Sequence, residues 1–510
     1  MDLEDLVGAH LLIGIPASEP APEAVERLRA TRAGGVILFR PNFASARAFL
    51  SLVEGLEQAL DRKILMAVDH EGGRVIHLAE GVTVFADNLA AGTAGHEESV
   101  RRQGEIEARE LTRLGIHLTL APTLDILTET YSAIIGIRSY GADPDLVARL
   151  GAARIRALQA GGVSACAKHF PGLGHSPQDP HHELPVLETS WEELRSSHLK
   201  PFVAAIEAGV EAVMTSHPIY PRLDPAGVPA TFSKRIVGDL LRRELGFKGL
   251  VLSDDLEMGA LGGLCSVGEA ACRAVEAGHD MVLVCHDGAA QREAFGALLG
   301  AAREGRIPRS RLEESAARLD ALRSRHAART PGEPPAADPQ GERLARAIAR
   351  KAVAAARRGK RLPALDRAAS ACVIFPRLSE LAGRIFIEDE MLDEAAYVAR
   401  ILGERGLETN GIVVTALDPS PQDIERARLA ASAAPVTLHF CYDAHLYPAA
   451  RRLLETVQAS ARQCVVVLLR DPYDEAFVSK AACLNAFGFR RAQIEAVLDA
   501  LTPGARPLVI

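Results

Sequence analysis

The densest run of chemistry-bearing residues is Lys168-His169-Phe170-Pro171-Gly172-Leu173-Gly174-His175-Ser176-Pro177-Gln178-Asp179-Pro180-His181. It leaves an apolar stretch and enters a loop dense in Gly and Pro, which is entropically costly to order. Asp179 and His181 stand two apart. A carboxylate that holds one imidazole nitrogen leaves the other to exchange a proton with substrate, the logic of an acid/base histidine. Taken alone, an ordinary surface loop containing histidine accounts for this stretch at least as well. A second run is Ser253-Asp254-Asp255-Leu256-Glu257-Met258, directly after Gly249-Leu250-Val251-Leu252. One carboxylate can act as a nucleophile if neighbouring donors keep it ionised, and the other can cap a helix. Two caps would explain the pair equally well. A third run is Asp69-His70-Glu71-Gly72-Gly73-Arg74-Val75. Its Gly pair permits a sharp turn, and the spacing is not that of a phosphate loop. Asp69 could accept hydrogen bonds from substrate hydroxyls, and Glu71 with Arg74 reads as an ion pair that fixes the turn. His175, His181, His182, Asp179 and Asp254 could be written as a metal set. No helix- or strand-borne ligand spacing supports it, so neither a metal nor a cofactor is expected.

Such residues need elements to position them. Over the first 330 residues, short apolar runs alternate with amphipathic stretches. The runs are 11–15, 35–39, 64–68, 116–120, 163–167, 212–215, 249–252 and 281–284. Apolar throughout, they read as eight strands buried on both faces of a parallel sheet. Helix signals fall between them: a capping box at Ser190-Trp191-Glu192-Glu193, and a helix capped by Ser233 that stops at Gly246. Eight such units predict a (β/α)8 TIM-type barrel. Asp69, Asp125, Lys168-His169, Ser216-His217 and Ser253-Asp254 all directly follow runs, which puts them on the C-terminal rim where barrel active sites lie.

Residues 327–342, with Pro331, Pro334, Pro335 and Pro339, read as a linker, followed by a helix over 341–360. Further runs at 371–375, 384–387, 412–417, 436–440, 465–469 and 483–487 predict a smaller α/β sandwich domain with a mainly parallel sheet. The expected division is a barrel over 1–326, linker and helix over 327–365, and a C-terminal α/β domain over 366–510. His439, Tyr442, Asp443 and His445 cluster after one run; an ordinary loop is the simpler reading, and a ligand site the alternative.

Composition excludes several classes. Hydrophobic residues are 48% and charged residues 24% of the 510, and the net charge is −8. No long basic run exists, so no nucleic-acid partner is expected. Arg357, Arg358, Lys360 and Arg361 read as a solvated helix end. No apolar run spans a bilayer, the start lacks a basic leader, and the eight scattered cysteines include no CxxC pair. A cytoplasmic protein with no membrane partner is expected, its oligomeric state unspecified.

Together the motifs resemble glycoside hydrolase family 3, in its β-N-acetylglucosaminidase branch. The branch pattern is close to DQEGGRVxR, IGxRS, KHFPGHG…D-x-H and SDDLxM. Here it appears in order as Asp69 to Val75, Ile135-Gly136-Ile137-Arg138-Ser139, Lys168 to His181, and Ser253 to Met258. The resemblance implies Asp254 as nucleophile, His181 as general acid/base oriented by Asp179, and Asp69, Arg138, Lys168 and His169 as ligands of the sugar. It implies a retaining exo-acting hydrolase for terminal β-linked N-acetylglucosamine, from cell-wall fragments or chitooligosaccharides. A phosphorylase using the same nucleophile and dyad is the rival, and a catalytically idle sugar-binding or regulatory protein is a third reading. Four positions depart from the pattern. His70 replaces Gln, His77 stands where a sugar-binding Arg is frequent, Leu173 replaces a His, and Pro180 replaces a small polar residue. The sugar network around His77 and the closing of the 175–182 loop are the parts these departures touch.

Overall fold

The computed structural model describes residues 1–128, 132, 134–174, 176, 183–326, 336–359, 362–363, 365 and 371–502. Eight parallel strands form a closed barrel: β1 (Leu11–Gly14), β2 (Gly35–Leu38), β3 (Leu65–Val68), β4 (Leu118–Thr119), β5 (Ser164–Phe170), β6 (Ala212–Thr215), β7 (Leu250–Asp255) and β8 (Met281–Val284). Each strand lies beside its sequence neighbours, and β8 closes on β1 with Leu12 opposite Leu283. β1, β2, β3, β6 and β8 are buried at every residue, because one face fills the barrel and the other meets the outer helices. Helix Ala46–Leu60 shows the outer layer. Ser45 accepts from Ala48 N at 3.1 Å to start it, and Phe49, Leu52, Val53 and Leu56 form its buried stripe. The two helix starts expected from sequence are present: Ser190 accepts from Glu193 N at 3.1 Å, and Ser233 from Ile236 N at 3.0 Å.

The second domain is built on a six-stranded sheet: β9 (Arg358–Gly359), β10 (Ala371–Pro376), β11 (Thr409–Thr415), β12 (Val436–Cys441), β13 (Cys464–Leu468) and β14 (Ala482–Asn485), in spatial order β9-β14-β13-β12-β10-β11. All neighbours are parallel except β9, which runs antiparallel to β14. Side chains alternate as a pleat requires. Val373 and Phe375 join one apolar layer, and Cys372 and Ile374 the opposite one, against helices Pro421–Ala433 and Pro448–Ser460.

Three expectations are corrected. The helix after the proline-rich stretch is Pro339–Ala355, opened by Asp338 accepting from Gln340 N at 2.8 Å. It is packed on both sides: Leu344 and Ile348 belong to the barrel core, Ala349 and Val353 to the second domain's core. Arg358 of the basic cluster is not a helix end but part of the antiparallel edge strand; Lys360 and Arg361 lie outside the described residues. Residues 384–387 form no strand. Ile387 packs into the second domain's core, while Phe386 turns toward the barrel, where the Arg40 guanidinium lies 3.9 Å from its ring.

Candidate active site

A cavity of about 780 Å³ opens over the C-terminal ends of the barrel strands. Asp69, His77, Arg138, Lys168, His169 and Asp254 all line it, and the wall formed by residues 382–387 comes from the second domain. Asp179 and His181 lie outside the described residues, as do His175, Pro180 and His182, so the expected dyad and metal set are not addressed by the geometry.

Two of the strand ends carry an extra residue. Ala167 to Phe170 on β5 spans three steps against two on β6, and Leu252 to Asp255 on β7 spans three against two on β8. A bulge bends the strand and re-aims the side chains at its crest, which here are Lys168-His169 and Ser253-Asp254. The bulge at β7 is fastened by Ser253 Oγ, which accepts from Leu283 N at 3.1 Å. His217 Nε2 donates to the Asp255 carbonyl at 2.9 Å.

Asp254 Oδ1 accepts from Asp255 N at 2.9 Å. Burial alone would raise its pKa. The opposing influence of His169, His217, the Asp255 N–H and Lys168 prevails and holds the carboxyl below its ordinary value. Its neighbour goes the other way: burial pushes Asp255 up to about 6. Asp255 does not cap a helix as sequence suggested. Its Oδ1 accepts from Glu257 N at 3.2 Å and Cys285 N at 3.3 Å, tying the ends of β7 and β8 together. Adjacent carboxylates with divergent pKa values take different roles. Both line the cavity, and the one held below its ordinary value is Asp254.

The cavity is also lined by a compact ion cluster. Lys168 Nζ lies 2.5 Å from Asp69 Oδ1 and 2.6 Å from Glu71 Oε1. Arg138 binds Glu71 in bidentate fashion, through Nε at 2.8 Å and Nη2 at 2.7 Å. Burial disfavours the Lys168 charge, but the two carboxylates overcome it and raise its pKa. The expected Glu71–Arg74 pair does not form. Glu71 turns inward to Arg138 and Lys168, whereas Arg74 donates to the Ile134 carbonyl at 2.9 Å. The Gly pair does make the sharp turn: Gly73 has φ +52°, and a Cβ there would lie 1.9 Å from Asp87 Oδ2.

His169 is oriented by a residue whose role sequence reasoning did not assign. Asp125 Oδ2 lies 2.6 Å from His169 Nδ1, and the same carboxylate accepts from His169 N at 3.1 Å and Leu173 N at 2.6 Å. Its position right after a strand was the only signal. His77 packs edge-on against Phe39 at 5.3 Å, and burial lowers its pKa, so it presents a neutral ring where an Arg would present charge. His70 is buried behind the site; burial, then Arg154, pushes it down to about 3. Leu173 is buried in the barrel core.

An ionised carboxylate lining the same cavity as Lys168, Arg138 and Asp69 suits attack on a polyhydroxylated substrate held by charged hydrogen bonds. Among the described residues, no helix is long and apolar enough to cross a membrane.

Comparison with known proteins agrees. Residues 5–322 match the Glycosyl hydrolase family 3 N terminal domain. A β-hexosaminidase of Neisseria meningitidis serogroup A is 38% identical over 283 residues, covering 54% of this chain and 78% of that one. A β-hexosaminidase of Pseudomonas aeruginosa is 39% identical over 292 residues, covering 56% and 86%. A solved family 3 β-N-acetylglucosaminidase from Paenibacillus sp. superposes with a TM-score of 0.92 at 33% identity, over 98% of this chain and 97% of that one.

Proposed function

This chain belongs to glycoside hydrolase family 3, and from that premise we propose that it is a retaining exo-β-N-acetylglucosaminidase. Its substrate is a small carbohydrate with a terminal β-linked N-acetylglucosamine, from cell-wall fragments or chitooligosaccharides, met in the cytoplasm. The catalytic unit is the barrel over 1–326, connected to the domain over 366–510 through 327–365, a segment whose strand β9 already pairs into the second domain's sheet.

In the first step an Asp254 oxygen attacks the anomeric carbon while His181 gives its proton to the leaving oxygen. In the second, His181 takes a proton from water, which displaces Asp254 and restores the β configuration. Asp179 holds the His181 ring. Lys168 and Arg138 donate to sugar hydroxyls, Asp69 accepts from them, and His169 and His77 complete the subsite. The supporting observation is the split between Asp254 and Asp255: both line the cavity, but only Asp254 is held below its ordinary pKa, whereas Asp255 is pushed up to about 6 and spends its Oδ1 on the Glu257 and Cys285 amides. A nucleophile must be ionised at working pH.

The test is nitrophenol release from p-nitrophenyl N-acetyl-β-glucosaminide, beside p-nitrophenyl β-glucoside, with and without phosphate. Turnover of the N-acetyl sugar alone, indifferent to phosphate, is expected. Acceleration by phosphate with sugar 1-phosphate as product would make the protein a phosphorylase. No turnover of either would overturn the enzymatic reading.

A further inference from the structure

We propose that Asp471, carried by the second domain, is a positioning residue for Arg138; the inference rests on the sugar-binding role proposed above for Arg138. Arg138 ends a single tight turn, Gly136–Arg138, with no regular element to hold it. Side chains hold it instead. Asn88 Nδ2 donates to the Arg138 carbonyl at 2.8 Å, and Arg74 Nη2 to the Ile134 carbonyl at 2.9 Å. The backbone N–H of Ile137, directly before Arg138, donates to Asp471 Oδ1 at 2.7 Å. Asp471 is thus the contribution of the second domain to this turn.

The fit is close. Gly136 has φ +43°, and a Cβ there would lie 2.0 Å from Asp471 Oδ1, so the carboxylate is pressed against the turn where no side chain fits. Asp471 is 2% exposed, and its second oxygen lies 3.0 Å from Arg470 Nε. Arg470 also pairs with Asp443, so the Asp443, His445 and Asp471 cluster, whose ligand atoms come within 4.8 Å of one another, already holds a cation between its carboxylates. A carboxylate so oriented is a strong, fixed acceptor for an amide. Without it, the buried Ile137 N–H would have no partner and the turn would move to find one. Arg138 would move with it, away from its bidentate contact with Glu71.

The same seam grips two other rim loops. Tyr473 donates to the Thr128 carbonyl at 3.4 Å, and Thr128 Oγ1 to the Gly174 carbonyl at 3.2 Å. Arg490 donates to the Gly73 carbonyl through Nε at 3.2 Å and Nη2 at 3.0 Å. The second domain therefore acts on the sugar subsite through backbone contacts as well as through the wall at 382–387.

The experiment is a double-mutant cycle in the full chain, assayed on p-nitrophenyl N-acetyl-β-glucosaminide, with thermal unfolding of each variant. Asp471→Ala is expected to raise KM on the order of 10- to 100-fold, the effect of an ångström-scale misplacement, with a smaller change in kcat. Asp471→Asn keeps an acceptor oxygen and should recover most of the loss. In an Arg138→Ala background, Asp471→Ala should raise KM no further. Should Asp471→Ala not fold, Asp471→Ser carries the same comparison. An unchanged KM in the Asp471 variants, or independent effects that multiply in the double variant, would overturn the positioning role while leaving the function intact. An Arg138→Ala enzyme with wild-type KM would instead remove the sugar-binding reading, and this inference with it.

Discussion

Replacing Glu71 by Gln tests the ion cluster at its centre. Glu71 is 2% exposed and receives three charged contacts at 2.6 to 2.8 Å, two from Arg138 and one from Lys168. Gln is nearly isosteric but offers one acceptor and turns an NH2 toward the cations. Lys168 would keep Asp69, while Arg138 would lose its bidentate carboxylate partner. Breaking one partner out of a buried pair costs about 3–5 kcal/mol. In urea titration followed by circular dichroism, the midpoint should fall by up to about 1 M, because the slope of a chain this long exceeds that of small proteins. Burial raises the Glu71 pKa, but the charges of Arg138 and Lys168 outweigh it and bring it well below its ordinary value. The stabilisation is therefore complete above the unfolded value of about 4.3 and drains as pH falls through the folded value. The gap between wild type and Glu71→Gln should be constant from about pH 5 to 8 and narrow progressively as pH falls below about 4. KM should rise as well, because Arg138 and Lys168 lose their anchor. Equal midpoints at neutral pH, or a gap undiminished in acid, would refute the assignment of Glu71 as the charge that holds the subsite.

Three further outcomes are expected. Burial lifts Asp255 to about 6, so the native state holds its proton more tightly than the unfolded state, and stability is lost as pH rises from about 4 through about 6. Asp255→Asn, which cannot ionise, should match wild type in a melt at pH 4 and exceed it above pH 6; the reverse order would show that its charge stabilises the strand ends. His181→Ala should slow substrates with poor leaving groups far more than activated aryl glycosides, because protonation matters less for a good leaving group; equal losses in kcat/KM would remove His181 as the acid. Gly73→Ala forces a side chain onto φ +52° and into the Asp87 carboxylate, and should destabilise by roughly 1–3 kcal/mol or more in the same urea titration; an unperturbed midpoint would show that the turn is not constrained.

The barrel was legible because its strands are buried on both faces, which leaves uninterrupted apolar runs such as Met281-Val282-Leu283-Val284. Burial alone misled at 384–387. Ile385, Phe386 and Ile387 are as apolar as a strand, yet Ile387 serves the second domain's core while Phe386 meets Arg40 of the barrel. A short apolar run does not say what covers it. The cavity-lining residues were legible through motif order, but their pairing was not. Glu71 and Arg74 are three apart, and a sharp turn at Gly72-Gly73 sends them to different partners. Asp125 was visible only as a polar residue after a strand, and its grip on His169 depends on the fold of the next strand. Asp471 carried no signal, since its partner is an amide 334 residues away.

The most direct test of the account is to stop the enzyme during turnover of a slow N-acetyl-β-glucosaminide and locate the sugar by peptide mass spectrometry, while NMR follows the anomer first released. The account predicts one N-acetylhexosaminyl group on the peptide bearing Asp254, none in Asp254→Ala, and β product. A sugar on another residue, or α product released first, would contradict it.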